Sequence, residues 1–170
     1  MAVTEISEYR SIPPPALVPS GGRVVLCGSM STRSVMEQVV EDLDAIGVPS
    51  VLPDRDDSLH RSKSWDEAVK IKRAASIRHL RRVTAPSTCA VLVVNTNKHG
   101  IMDYIGPNTL GEIVVAFTRG HAVFLYQRIP HDLRDELEAW GVVPLAGDLS
   151  PLVAAYRKRA DQPQQLTLFP

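Results

Sequence analysis

Several things are scarce in this chain, and each scarcity removes a class of function. Two of its 170 residues are cysteine, Cys27 and Cys89. Both fall in short apolar runs, so they read as buried thiols rather than as a disulfide or a metal pair. Aromatic residues make up 5%, too few for a platform that stacks nucleic-acid bases. Nineteen basic residues balance nineteen acidic ones, which removes the electrostatic case for wholesale binding to nucleic acid or to an anionic membrane. No apolar run approaches the roughly 20 residues that cross a bilayer. The start, MAVTEISEYRSIPPP, lacks the basic and then apolar order of a secretory signal. A cytoplasmic protein off the membrane, without direct nucleic-acid contact, is the expectation. His60, His99, His121 and His131 show no HxH or HxxxH spacing, and neither GxxxxGK[ST] nor GxGxxG occurs. No metal site and no cofactor are therefore expected.

What is present is a regular alternation. Residues 1–21 form an irregular lead-in, because Pro13, Pro14, Pro15, Pro19 and the Gly21-Gly22 pair suit neither helix nor ladder. From Arg23 short apolar runs alternate with amphipathic stretches. VVLCG, VPSVL, AVLVV, AVFLY and VVPL read as strands; the continuous apolar runs among them fit strands buried on both faces. AVLVV (Ala90 to Val94) suits the sheet centre, and VVPL, with Pro144, an edge. Helices are expected from Ser31 as cap to about Ile46, from Ser64 and Asp66 to about Val83, from Asn108 to Arg119, from Asp132 to Trp140, and from Ser150-Pro151 to about Arg159. Five such β-α units predict an α/β three-layer sandwich, a five-stranded parallel sheet of flavodoxin-like or Rossmann-like kind with helices on both faces, over residues 22–160. Residues 161–170 read as a tail.

In such folds ligands bind in the crevice beyond the C-terminal strand ends. The residues that converge there are Gly28, Ser29, Met30 and Ser31 after the first strand, Asn95 after the third, and then Asp103, Tyr104, Asn108 and Glu112. Gly28 lets a ligand approach the backbone. Ser29 and Ser31, with free N–H groups at a helix start, suit a phosphate or sugar oxygen; an ordinary strand-to-helix turn with a serine cap is the alternative. Glu112 also has two readings. Thr109-Leu110-Gly111-Glu112 has capping-box spacing, which by itself accounts for the acid. Alternatively the carboxylate faces the crevice as a base or as a nucleophile toward an anomeric carbon. The basic stretch Lys70 to Arg82 has charges all round its helix and reads as a solvated face, with Arg78 or His79 able to reach a ligand phosphate.

GSM after the first strand, VLVVN on the third and GPNTLGEIVVAFTRG on the next helix resemble the nucleoside 2-deoxyribosyltransferase-like superfamily over roughly Arg23 to Leu145. That group includes transferases that exchange bases on deoxyribose and hydrolases of deoxynucleoside monophosphates. The resemblance implies Glu112 as the nucleophile that captures C1′, Ser29 and Met30 beside the sugar or 5′-phosphate, and sites commonly completed by a neighbouring subunit of a homo-oligomer. Tyr104 and Asn108 would contact sugar hydroxyls, or Tyr104 would shield the crevice. Two family acids are replaced here, by Cys89 before the third strand and by Gly106 six residues ahead of Glu112. Asp103 is the nearby acid that could substitute. Without an acid to protonate the departing base, cleavage loses roughly 10²–10⁴-fold. A non-catalytic nucleotide-binding module is therefore the competing expectation.

The chain closes in Gln165-Leu166-Thr167-Leu168-Phe169 before Pro170. This resembles the peptide by which bacterial proteins bind the DNA sliding clamp. Leu166, Leu168 and Phe169 would anchor in an apolar groove and Gln165 would make polar contacts. The other reading is a tail packed on its own domain or on a sister subunit. If the peptide works as an adaptor, clamp recruitment is the main output.

Overall fold

The computed structural model describes residues 22–55 and 61–161; the lead-in and the clamp-like residues Gln165, Leu166, Leu168 and Phe169 lie outside them. Five parallel strands, β1 (Arg23–Gly28), β2 (Ser50–Val51), β3 (Thr88–Val94), β4 (Ala122–Leu125) and β5 (Val143–Pro144), stand in the order β2-β1-β3-β4-β5. This is the flavodoxin-like order, with β3 at the centre as expected. Every residue of β3 is buried, which is why that segment has no polar alternation. Rows of apolar side chains cross the sheet, with Leu26 opposite Leu92 and Leu92 opposite Phe124.

The helices are α1 (Arg33–Ala45), α2 (Trp65–Val83), α3 (Pro107–Thr118), α4 (Arg134–Ala139) and α5 (Ser150–Ala160). Strand period two sorts the core into two layers. Val24, Leu26, Leu92 and Phe124 meet Met36 and Leu43 of α1 and Leu152 and Tyr156 of α5 on one face. Val25, Cys27, Val91 and Leu125 meet Val83 of α2, Ile113 and Ala116 of α3 and Leu137 of α4 on the other. Cys27 and Cys89 are both buried and free. No helix among the described residues is long and apolar enough to cross a membrane.

Several boundaries differ from the sequence reading. Ser31 does not cap α1; it sits in a single 3₁₀ turn, Met30–Thr32, and α1 begins at Arg33 without a side-chain cap. β2 shortens from the expected five residues to Ser50–Val51, as befits an edge strand paired on one side. Ser64 does cap α2, accepting from the Glu67 N–H, while the Glu67 carboxylate accepts from the Lys63 N–H. α3 starts earlier than expected: Gly106 is its N-cap and Pro107 its first residue, where proline's missing N–H costs nothing.

Candidate active site

That early start decides the geometry of Glu112. With Pro107 in the first position, α3 has no acid in its first turn and no side-chain cap. Glu112 falls in the second turn, where it cannot serve the free backbone N–H groups, so the capping-box reading is corrected. Thr109, Ile113 and Ala116 form the buried stripe of α3, and Glu112 stands at its border, where α3 packs against α2. From α2, His79 and Val83 are the buried side chains. Cys27 reaches the same spot from β1. The Cys27 Sγ lies 3.3 Å from His79 Nε2, and His79 Nε2 lies 3.7 Å from Glu112 Oε1, with side chains 6% and 16% exposed. Glu112 Oε2 is buried without a hydrogen-bond partner.

Burial dominates the electrostatics here. Desolvation pushes Glu112 up from 4.5 to about 7, against a hydrogen bond donated by the Cys27 thiol. Desolvation also lowers His79 from 6.5 to about 4, with the Arg82 cation adding to the effect. The Cys27 thiol is raised, first by burial and then by Glu112. Near neutral pH the cluster therefore holds a neutral imidazole, a thiol, and a carboxyl poised between its two forms, a state suited to nucleophilic or proton-transfer work.

Glu112 and His79 form the floor of a cleft of about 340 Å³ beyond the ends of β1 and β3. The sheet's connections diverge at that point, β2 to one side and β4 to the other. Gly28, Ser29, Met30, Tyr104 and Asn108 also line it, with Lys72 from α2 and Lys98 from the loop after β3. A Cβ on Gly28 would come to 3.0 Å from the Val94 carbonyl and 3.3 Å from the Met36 sulfur, so glycine lets the first loop leave the sheet here. Lys98 is aimed by a two-residue turn. Lys98 and Ile101 exchange backbone hydrogen bonds of 2.9 Å each way, and His99 and Gly100 between them hold φ of 51° and 76°, the pattern of a type I′ turn. Its ammonium donates to Ser29 Oγ at 2.8 Å and stands 5.1 Å from the centre of the Tyr104 ring.

Three expected site residues stand elsewhere. Asn95 is fully buried. Its amide N–H₂ donates to the Arg128 carbonyl at 2.8 Å and its carbonyl accepts from the Gln127 N–H at 2.9 Å, so it clasps two loops instead of lining the cleft. Asp103 is 8% exposed and directs its carboxylate to Arg128 at 3.4 Å, away from the cleft lining. Ser31 is exposed and bonded to Ser29 at 2.8 Å, one step outside the lining. Arg78, weighed as a phosphate ligand, pairs with Asp54 at 3.3 Å.

Compared with protein-family models, curated proteins and solved structures, the chain shows no match.

Sequence reasoning left Cys27, Lys72 and Lys98 out of the site, and did not pair His79 with Cys27 and Glu112. Signals for two of them existed. Ala75, His79 and Val83 make an i, i+4 row on α2, which places the imidazole on the packed side. Cys27 follows Val25 at strand period two, so it faces whatever covers Val25. Nothing in the sequence marked Lys98, whose aim depends on the positive φ of a histidine.

Proposed function

We propose that this chain is an N-glycosidase or deoxyribosyltransferase that acts on a deoxynucleoside or deoxynucleotide, with Glu112 as nucleophile. One observation carries the reading: the Glu112 carboxylate lies at the floor of a cleft with one oxygen bound to nothing and no duty to its own helix. A buried acid without a partner is costly, and an unsatisfied group of this kind calls for a functional account. The motif resemblance supplies the chemistry. A Glu112 oxygen would attack C1′ of the sugar as the C1′–N bond breaks. The bond's electron pair leaves with the base, which takes up a proton. Attack on the resulting glycosyl ester by water gives hydrolysis; attack by a second base gives exchange. The cleft's volume lies in the lower part of the range for small-ligand pockets. Lys98, bonded to Ser29, and Lys72 on the same cleft lining favour a substrate bearing a 5′-phosphate.

The test is base release from a panel of deoxynucleosides and their monophosphates. Release by the native chain and its loss in Glu112→Ala supports the reading. No release from any substrate, or equal release by the variant, removes it. Tight binding without turnover would point to a nucleotide-binding module.

The tail motif supports a second proposal, recruitment to a bacterial sliding clamp through Gln165, Leu166, Leu168 and Phe169. Deleting residues 165–170 should abolish retention on immobilised clamp and leave base release unchanged; retention by the shortened chain would defeat it.

A further inference from the structure

The three side chains under the cleft have a capacity that glycosyl transfer does not use. Cys27, His79 and Glu112 offer one sulfur, one nitrogen and one oxygen, all within 4.8 Å of one another. Each comes from a different rigid element: β1, α2 and α3. We propose that they form a binding site for a thiophilic divalent cation of the zinc type, with the fourth coordination position open to the cleft.

The donor spacing carries the assignment. A tetrahedral ion with the usual bonds to sulfur, nitrogen and oxygen keeps its donors roughly 3.3–3.6 Å apart. The sulfur-to-nitrogen distance is 3.3 Å and the nitrogen-to-oxygen distance is 3.7 Å. Two of the three edges are therefore within a few tenths of an ångström of the required length, and the third is no longer than 4.8 Å. The second observation is the condition of the donors. His79 is 5% exposed as a residue, and Glu112 Oε2 is buried without a partner. An ion at this point would receive lone pairs from His79 Nε2 and Glu112 Oε1, with the ring proton on Nδ1, a buried atom that has no hydrogen-bond partner of its own. The mixed S, N, O set selects zinc or cobalt over magnesium or calcium, which require oxygen.

Binding requires a thiolate, so the Cys27 proton leaves to solvent, together with the Glu112 proton where that carboxyl is protonated. The binding stands by itself. Its consequence rests on the glycosidase reading: an ion on Glu112 occupies the electron pair that would attack C1′, so zinc inhibits turnover and a chelator restores it.

Cobalt(II) titration of the full-length native chain tests the site without any assay of activity. The expected result is saturable one-to-one binding with a thiolate-to-cobalt charge-transfer band, displaced by zinc. The band should vanish in Cys27→Ala and persist in Cys89→Ala. Calorimetry in buffers of different ionisation enthalpy should show proton release on zinc binding. No saturable binding up to millimolar metal overturns the proposal, as does a spectrum without the thiolate band or a band that survives Cys27→Ala. The native titration decides the matter even if the variant fails to fold. If binding succeeds while base release is absent, the metal site holds and the glycosidase reading falls.

Discussion

Glu112 and His79 are each kept from the protonation state they would take in water, and their penalties run in opposite directions with pH. Glu112 titrates at about 7 in the folded chain against 4.5 ordinarily. Between those values the folded state keeps a proton that the unfolded state releases, so stability falls as pH rises through this window and levels off above about 7. His79 titrates at about 4 against 6.5. Below 6.5 the unfolded state takes up a proton that the folded state refuses, so stability falls as pH drops toward 4. In the native chain the two slopes cancel over much of the overlap. Glu112→Gln removes one of them. In chelator-treated protein the variant should be more stable than the native chain at pH 8, by on the order of 1–3 kcal/mol, and its stability should rise with pH between about 4 and 6.5. Urea melts from pH 4 to pH 8 are the measurement, and a variant no more stable at pH 8 would show that the carboxylate is not destabilised. At the same scale, and on the glycosidase proposal, Lys98→Ala should raise KM for a deoxynucleoside monophosphate about tenfold, or about 1.4 kcal/mol, and leave KM for the unphosphorylated deoxynucleoside nearly unchanged. An equal rise for both would place the ammonium elsewhere in the complex. The site was half legible in sequence. Glu112, Ser29, Met30, Tyr104 and Asn108 do share a cleft. Asp103 and Asn95 sit at the right sheet edge, but their neighbours Arg128 and Gln127 come from the loop after β4, and no spacing rule reveals a partner that distant in the chain.

Elements were more legible than residues, because period is a local property. The continuous apolar runs of β1, β3 and β4 and the i, i+4 stripes of the helices gave the α/β class, the parallel sheet and the central place of β3. Helix starts were less clear. Asn108-Thr109 looks like a cap in isolation, yet Gly106-Pro107 in front of it is the better start, since proline's fixed φ suits the first helical turn. That shift of about two residues changes Glu112 from a cap to a cleft group, so the functional reading depends on a boundary that sequence reading leaves loose. The loop between β3 and α3 is likewise an element with its own supports. Asn95 ties its base to the loop after β4 and donates to the Asp103 carbonyl at 3.4 Å, and Asn97 accepts from the Asp103 N–H at 3.0 Å. Asn95→Ala should cost about 2–4 kcal/mol, because it strips partners from buried backbone groups. It should also lower kcat/KM, because the same loop carries Lys98 and Tyr104. Denaturant unfolding and steady-state kinetics together check this. A stability loss with unchanged kcat/KM would mean the loop holds its shape without the clasp.

For the molecule as a whole, the sheet order creates one crevice, and among the described residues lining it Glu112 is the one carboxylate. A glycosidase usually divides labour between two acids, one attacking and one protonating the leaving group. Here the second acid near the loop, Asp103, is engaged with Arg128, and the position six residues before Glu112 is a glycine whose added Cβ would come 3.2 Å from the Tyr104 hydroxyl. The Tyr104 ring thus fills the space where an acid's side chain would enter. If Glu112 is the nucleophile, little of the leaving-group work falls to the protein, and the substrate must supply what the site does not. Rates should then depend steeply on how readily the base departs unprotonated. Deoxynucleotides with positively charged or otherwise labile bases should turn over fastest, and ordinary pyrimidines slowest by roughly the 10²–10⁴-fold that a positioned acid contributes. A plot of log kcat/KM against the acidity of the departing base measures this directly. A flat plot, with chemistry shown to be rate-limiting, would mean that a proton donor reaches the base after all. Restoring an acid by Gly106→Asp would not be a clean remedy, since its side chain would have to displace Tyr104 and the Lys98 ammonium held over the ring.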